Sequence, residues 1–247
     1  MPAPLDDEPR DDDPSVAPAC YPGPPAPGSG LLVDGRFEPL SPDELSRLGR
    51  PPYDDRVLVV AVGANASPTV LHRKLRRGGL EGRVPFLAAT LIGVAVGHSA
   101  HVSVPGYVPA APYAATGVST PVMASLLDAE QVDCLDRTEP NYVRLTLHAD
   151  EFWLRLGTGD RPRDFDLYDG HWGVLAQPGG SPIPLSDQID LHSYLAAHWP
   201  AYTELLGTEC DAESAVLALA QDAALRARVR QAWHHTGWAV SSGLEAS

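Results

Sequence analysis

The chain has 247 residues, 44% of them hydrophobic and 20% charged, a globular composition long enough for one large domain or two small ones. Eighteen basic residues against 32 acidic ones give a formal net charge of −14. Such a surface repels phosphate backbones and anionic lipid, so neither nucleic acid nor a membrane is expected as a partner.

Residues 1–30 hold nine prolines, six acids and one arginine. They are expected to form a disordered, acidic, proline-rich tail, because so little apolar surface cannot offset the entropy of ordering. The N-terminus lacks the basic start and apolar core of an export signal. The longest apolar stretch, Val84 to Val96, is shorter than the ~20 residues that span a bilayer. Cys20, Cys134 and Cys210 make neither a CxxC pair nor a disulfide framework, so a reduced, cytoplasmic protein is expected.

Residues 31–55 read as a transition segment, with Ser41 capping a short helix and Glu44 completing its capping box. A mixed α/β domain is expected over residues 56–180. Val57 to Val62 is a continuous apolar, β-branched run, the mark of a strand buried on both faces. Gly63 ends it. Ser67-Pro68 opens a helix that carries Leu71, Lys74 and Leu75 and stops at Gly78-Gly79. Lys74 is the only lysine in a chain that otherwise uses arginine. Phe86 to Val96 and His101 to Val104 read as strands, Pro105 to Pro112 as a loop, and Pro121 to Leu127 as a strand. Asp128 and Gln131 form a second capping box for a helix through Val132 and Leu135. Tyr142 to Leu147 alternates as a strand. Gly157 to Asp169 is polar and rich in turn residues. Trp172 to Ala176 is the last strand expected. Residues 181–247 read as a helical cap, with one helix opening at Ser186 and another running from Asp211 to just before Gly237.

Two segments can carry chemistry. In Val62-Gly63-Ala64-Asn65-Ala66, a strand enters a helix through small residues. Such a turn aims backbone N–H groups and a helix dipole into one space, fit for a carboxylate or an oxyanion. In Leu135-Asp136-Arg137-Thr138-Glu139-Pro140, Pro140 disfavours helix at Glu139 and leaves that carboxylate at an element end, where it can face a cleft. Taken singly, a generic turn and a solvated glutamate describe these segments equally well. His98-x-x-His101 lacks a third ligand at tight spacing, so no metal is expected. Cys134 falls on an apolar helix face. Tyr107 and Tyr113 flank the proline-rich loop and either line a pocket or pack on the surface. No Gly-x-Ser-x-Gly elbow and no phosphate loop is present.

In this order and separation the two segments resemble the γ-glutamylcyclotransferase-like family. That family opens with a strand, a Tyr-Gly-Ser-Asn-Leu loop and a helix, here Val62-Gly63-Ala64-Asn65-Ala66 with Ser67-Pro68. Its later helix of the type Leu-x-x-x-Gln-x-x-x-Leu-Asp-x-x-Glu reads here from Leu127 through Gln131, Leu135 and Asp136 to Glu139, and Tyr142-Val143-Arg144 supplies its Tyr-x-Arg. The resemblance covers roughly residues 56–148 and extends loosely to 176. It implies a mixed β-barrel with flanking helices, and an enzyme that cleaves a γ-glutamyl amide by intramolecular aminolysis. Glu139 is then the single acid/base. Val62, Gly63, Ala64, Asn65, Ala66 and Tyr142 bind a small-molecule substrate, 5-oxoproline is released, and no cofactor is needed. The loop departs at Val62, Ala64 and Ala66, so its backbone donors remain while the Tyr and Ser hydroxyls are gone. Pro140 stands where the family has Gly. Two alternatives stay open: a non-catalytic domain that binds a small molecule or a partner, and another proton transfer or cyclisation in secondary metabolism.

Overall fold

A computed structural model of the chain describes residues 14, 17–48, 53, 55–80, 82–207 and 211–244. Along it run β1 (Gly30–Val33), β2 (Arg36–Pro39), α1 (Pro42–Leu48), β3 (Val57–Ala61), α2 (Pro68–Arg77), β4 (Arg83–His98) and β5 (Ala110–Leu127). Then come α3 (Ala129–Thr138), β6 (Tyr142–His148), β7 (Trp153–Leu156), β8 (Asp164–Gly170) and β9 (Val174–Leu175). Helices α4 (Gln188–His198), α5 (Tyr202–Leu206), α6 (Ala212–Gln221) and α7 (Ala223–His235) precede β10 (Ala239–Val240). Short 3-10 turns lie at Pro18–Cys20 and Ala64–Ala66.

The result is an α+β arrangement around one mixed sheet. Its strands pair in the order β2-β1-β4-β5-β3-β8-β6, with β7 on β4. Every pair is antiparallel except β3 with β8. β3 shows why its residues form a strand. Leu58 and Val60 enter one apolar cluster with Leu87, Leu91 and Phe165, while Val59 between them enters another with Leu71, Leu75 and Leu135. Period-two alternation thus buries both faces, as the unbroken apolar run requires.

α2 and α3 cover the second of those faces side by side. Their contact is close because Gly78, just past α2, lies against Cys134, where a Cβ would come within 2.3 Å of Sγ. Cys134 is 2% exposed and packs in the core. The capping box of α3 forms as expected, with Gln131 N–H on Asp128 at 2.9 Å and Asp128 N–H on Gln131 at 3.1 Å. The box of α1 forms as well, through Ser41 and Glu44.

Several expectations fail. Pro121–Leu127 is only the inner end of β5, which pairs with β4 from Phe86↔Ser125 out to His98↔Ala110. Pro112, Gly117 and Ser119 break the apolar alternation of β5 beyond its buried end, and the register shifts between Ile92 and Val94, where Gly93 has φ 88°. His101 to Val104 forms no strand; it belongs to the loop between β4 and β5. The polar stretch from Gly157 to Asp169 contains most of β8, whose Phe165 and Leu167 alternate with Asp166 into the core. A single helix after Asp211 becomes two, because Asp222 caps α7 by accepting N–H bonds from Ala224 and Leu225.

The expected tail also fails in part. Residues 1–13, 15 and 16 lie outside the described residues, but residues 17–30 dock. Tyr21 is 4% and Ala26 6% exposed, and Ala26 N–H bonds to Ala66 C=O at 2.8 Å. One aromatic ring supplies the apolar area that the composition of the segment hides.

The helices α4 to α7 share a cluster built on Trp199, Trp233 and Trp238, which also takes in Ala100, Val102 and Val108 of the β4–β5 loop. Buried Gln188 of α4 holds that loop from both sides, accepting Val108 N–H at 2.7 Å and donating to Val108 C=O at 3.0 Å. The chain does not end in this cap: β10 returns to pair with β9, and Ser242 donates to Asp169 at 2.8 Å.

Candidate functional site

β3 runs out at Ala61, and the Gly63 turn carries the chain into α2. α3 ends at Thr138, so Glu139 stands at its C-cap with φ −116° and ψ 54°. Pro140 cannot continue the helix, and Tyr142 N–H closes the turn on Glu139 C=O at 3.0 Å. Because α2 and α3 are neighbours on one sheet face, both ends open on the same space. That space is a cavity of about 290 Å³, lined by the Gly63 turn, Lys74, Glu139 and the tyrosines Tyr21, Tyr107 and Tyr142.

One oxygen of Glu139 takes two donors: Asn65 Nδ2 at 2.8 Å and Lys74 Nζ at 2.5 Å. Lys74 Nζ also donates to Asn65 Oδ1 at 2.8 Å, closing a triangle. The side chains of Lys74 and Glu139 are 21% and 14% exposed, so the pair is shielded from bulk water without being sealed. Lys74 reaches Glu139 because it projects from α2 on the side of α3, one residue before Leu75 enters the shared core.

The tyrosines stay protonated here. Burial first, then the charge of Glu139, pushes Tyr107 up to about 12. Burial also raises Tyr21 and Tyr142 above the ordinary phenol value, with neighbouring phenols and Glu139 adding to it. All three therefore keep their protons at neutral pH. Tyr142 gives its proton to Ala110 C=O at 2.8 Å. Tyr21 receives Ala110 N–H at 2.8 Å, so one backbone unit is held by two phenols.

Asp136, one turn before Glu139, faces away into a separate network. It accepts from Tyr168 Oη at 2.5 Å and from Arg144, whose other arm binds Asp166. Burial pushes Asp136 up, but the bonds from Arg144 and Tyr168 outweigh it and hold the carboxyl below its ordinary value.

The structure brings Glu139, Val62, Gly63, Ala64, Asn65 and Tyr142 to one cavity. Ala66 is not among them: it is 9% exposed and packs in the core with Leu71 and Leu135. The Ser67 hydroxyl makes no capping bond for α2, although the residue sits at the N-cap. Tyr107 lines the cavity, whereas Tyr113 lies on β5 opposite Ala95 and does not. His98 and His101 point to different partners, Ser186 and Ser99, and no group of three or more His, Cys, Asp or Glu among the described residues is placed to hold a metal ion. No described helix is long and apolar enough to cross a membrane.

Sequence reasoning passed over Lys74 and Tyr21. Both carried a signal, since one is the sole lysine and the other the only aromatic residue in the first 30.

No protein-family model matches the chain, and no curated protein sequence does. Among solved structures, a γ-glutamyl cyclotransferase is similar at 14% identity and a TM-score of 0.39, over 47% of this chain and 66% of that one, just under two thirds of its length. A protein from Arabidopsis thaliana determined in solution is similar at 15% identity and a TM-score of 0.39, over 61% of this chain and 87% of that chain. An uncharacterized protein from Homo sapiens matches at 14% identity and a TM-score of 0.36, over 47% and 67%. The first of these carries the name of the family that the sequence resembles.

Proposed function

We propose that the chain is an enzyme that cleaves a γ-glutamyl-type amide by cyclisation, with Glu139 as its single acid/base. The observation that carries this reading is one cavity joining the Glu139 carboxylate to the Gly63–Asn65 turn, with Glu139 bonded to Asn65 at 2.8 Å. In the proposed reaction the substrate's neutral α-amine attacks its γ-carbonyl carbon. A C–N bond forms and the amine proton passes to Glu139. Glu139 returns that proton to the leaving nitrogen as the old amide bond breaks. The products are 5-oxoproline and a free amine, and no proton or electron is left over. A carboxylate between two nitrogens serves both transfers. Lys74 and Asn65 occupy one oxygen of Glu139 and fix its rotamer, which supports a positioned group rather than a wandering one.

The Lys74 contact also favours one other reading. A carboxylate already matched by an ammonium is a complete ion pair, which suits a binding domain without turnover. Incubation with a panel of γ-glutamyl amides, reading 5-oxoproline release, separates the two. Release that disappears in Glu139→Gln supports the enzyme. No release from any member, with saturable binding of one, supports the binding domain.

A further inference from the structure

The segment ahead of β1 brings into the cavity a side chain that the reaction above does not use. The Pro18–Cys20 turn rests against α4 and α6, and Tyr21 follows it into the molecule. The Tyr21 ring stacks on Tyr107 with centroids 4.2 Å apart. Its hydroxyl lies at the Gly63 turn, where a Cβ on Gly63 would meet Oη at 2.5 Å. Ala110 N–H donates to that oxygen at 2.8 Å. The phenol oxygen thus accepts a backbone donor while it sits against the Gly63 turn. Its proton remains to be given, and no hydrogen bond carries it to a described residue.

The place beside the turn amides is therefore occupied. A ligand oxygen that approaches the turn at Gly63 meets the Tyr21 hydroxyl first. We propose that Tyr21, delivered by the N-terminal segment, is the hydrogen-bond donor to the carbonyl oxygen of the ligand in this cavity. Its hydroxyl passes on the polarisation of the Ala110 amide: a hydroxyl that already accepts a hydrogen bond donates more strongly. Burial and the charge of Glu139 disfavour the phenolate, so the proton stays on Tyr21 at neutral pH. In an acyl transfer, negative charge develops on this carbonyl oxygen, and a donor fixed before reaction stabilises it without reorganisation. The inference about catalysis rests on the γ-glutamyl reading. The inference about carbonyl binding does not.

The test has two arms in the full-length protein. In the first, 2-pyrrolidinone, a neutral lactam, is titrated into wild type and Tyr21→Phe and followed by NMR. Phenylalanine keeps the ring on Tyr107 and removes only the hydroxyl. Lactam affinity is expected to fall about tenfold, the effect of one hydrogen bond. Gly63→Ala supplies a second variant. Its new methyl group displaces the Tyr21 hydroxyl without deleting it, and the same weakening is expected. In the second arm, kcat and KM are measured for any γ-glutamyl amide that the wild type cleaves, and kcat is expected to fall about 10²-fold in Tyr21→Phe with KM little changed. Equal lactam affinity in wild type and Tyr21→Phe, or no lactam binding by the wild type, overturns the proposal. Lactam binding that depends on Tyr21, with no amide cleaved, overturns the γ-glutamyl reading and leaves the donor in place.

Discussion

Glu139 is held by two donors on a single oxygen, and Asp136, three residues earlier, by two donors of its own. The two carboxylates share a helix end and face different surroundings. Glu139→Gln keeps an acceptor for Asn65 and Lys74 and loses only the capacity to take and return a proton. A loss of about 10²–10⁴-fold in kcat is expected on any substrate the wild type turns over, with binding retained. Stability should change by no more than about 1 kcal/mol, because Lys74 keeps its bond to Asn65 and stays in partial contact with water. Full turnover in Glu139→Gln would remove this group from the mechanism. Asp136→Asn is the opposite case. It weakens the bonds from Arg144 and Tyr168 at a site 36% exposed, so a loss of about 1 kcal/mol after solvent screening is expected, with kcat within about twofold. Thermal melts and initial rates on the two variants read both numbers. A variant with normal stability and lost turnover would place Asp136 in the chemistry instead.

At the scale of elements, the site is a meeting of ends. The Gly63 turn ends β3, Glu139 ends α3, and the β4–β5 loop brings Tyr107, pinned by Gln188 of the helical cap. The segment before β1 closes the remaining side. Removing residues 1–26 deletes the Tyr21 ring from its stack and the Ala26 bond to Ala66. Burying one such ring contributes about 1.5–3 kcal/mol. For a chain of this length that corresponds to a melting temperature lower by roughly 3–12 °C. A truncation through residue 13 is the control. An unchanged melting temperature after removal of residues 1–26 would mean that the docked segment adds nothing to the fold.

The whole molecule carries three buried histidines, His98, His101 and His192, each 3% exposed or less. Burial drives them down from 6.5, to about 4, 3 and 4. Arg230 adds to the effect at His101, and His192 adds to it at His98. Their folded values lie below the unfolded one. On acidification the unfolded chain takes up protons first, so stability is complete above about pH 6.5 and is lost as pH falls toward 4. Each histidine removes up to about 1.4 kcal/mol per pH unit in that window. Asp136, held below its ordinary value, extends the loss to lower pH, while Asp169, raised by burial, works the other way. Melting temperatures at pH 7, 6 and 5 should fall increasingly steeply. A flat series would contradict neutral burial of these rings.

What the sequence determined by itself is what neighbours in the chain decide. Asp128 with Gln131, Ser41 with Glu44, the apolar run of β3 and the stop at Pro140 all act within one to four residues, so the elements they mark and the end position of Glu139 were legible. The two segments that carry the resemblance, the Gly63 turn and Glu139, line one cavity. Tertiary structure decided what distance in the chain conceals. Lys74 and Glu139 are 65 residues apart, Tyr21 and Ala110 are 89 apart, and β8 is a strand because β3 and β6 flank it. No local pattern specifies such pairs. A buried polar group needs a partner from anywhere in the chain, and only the packing of α2 on α3, and of the N-terminal segment against the Gly63 turn, selects which one it meets.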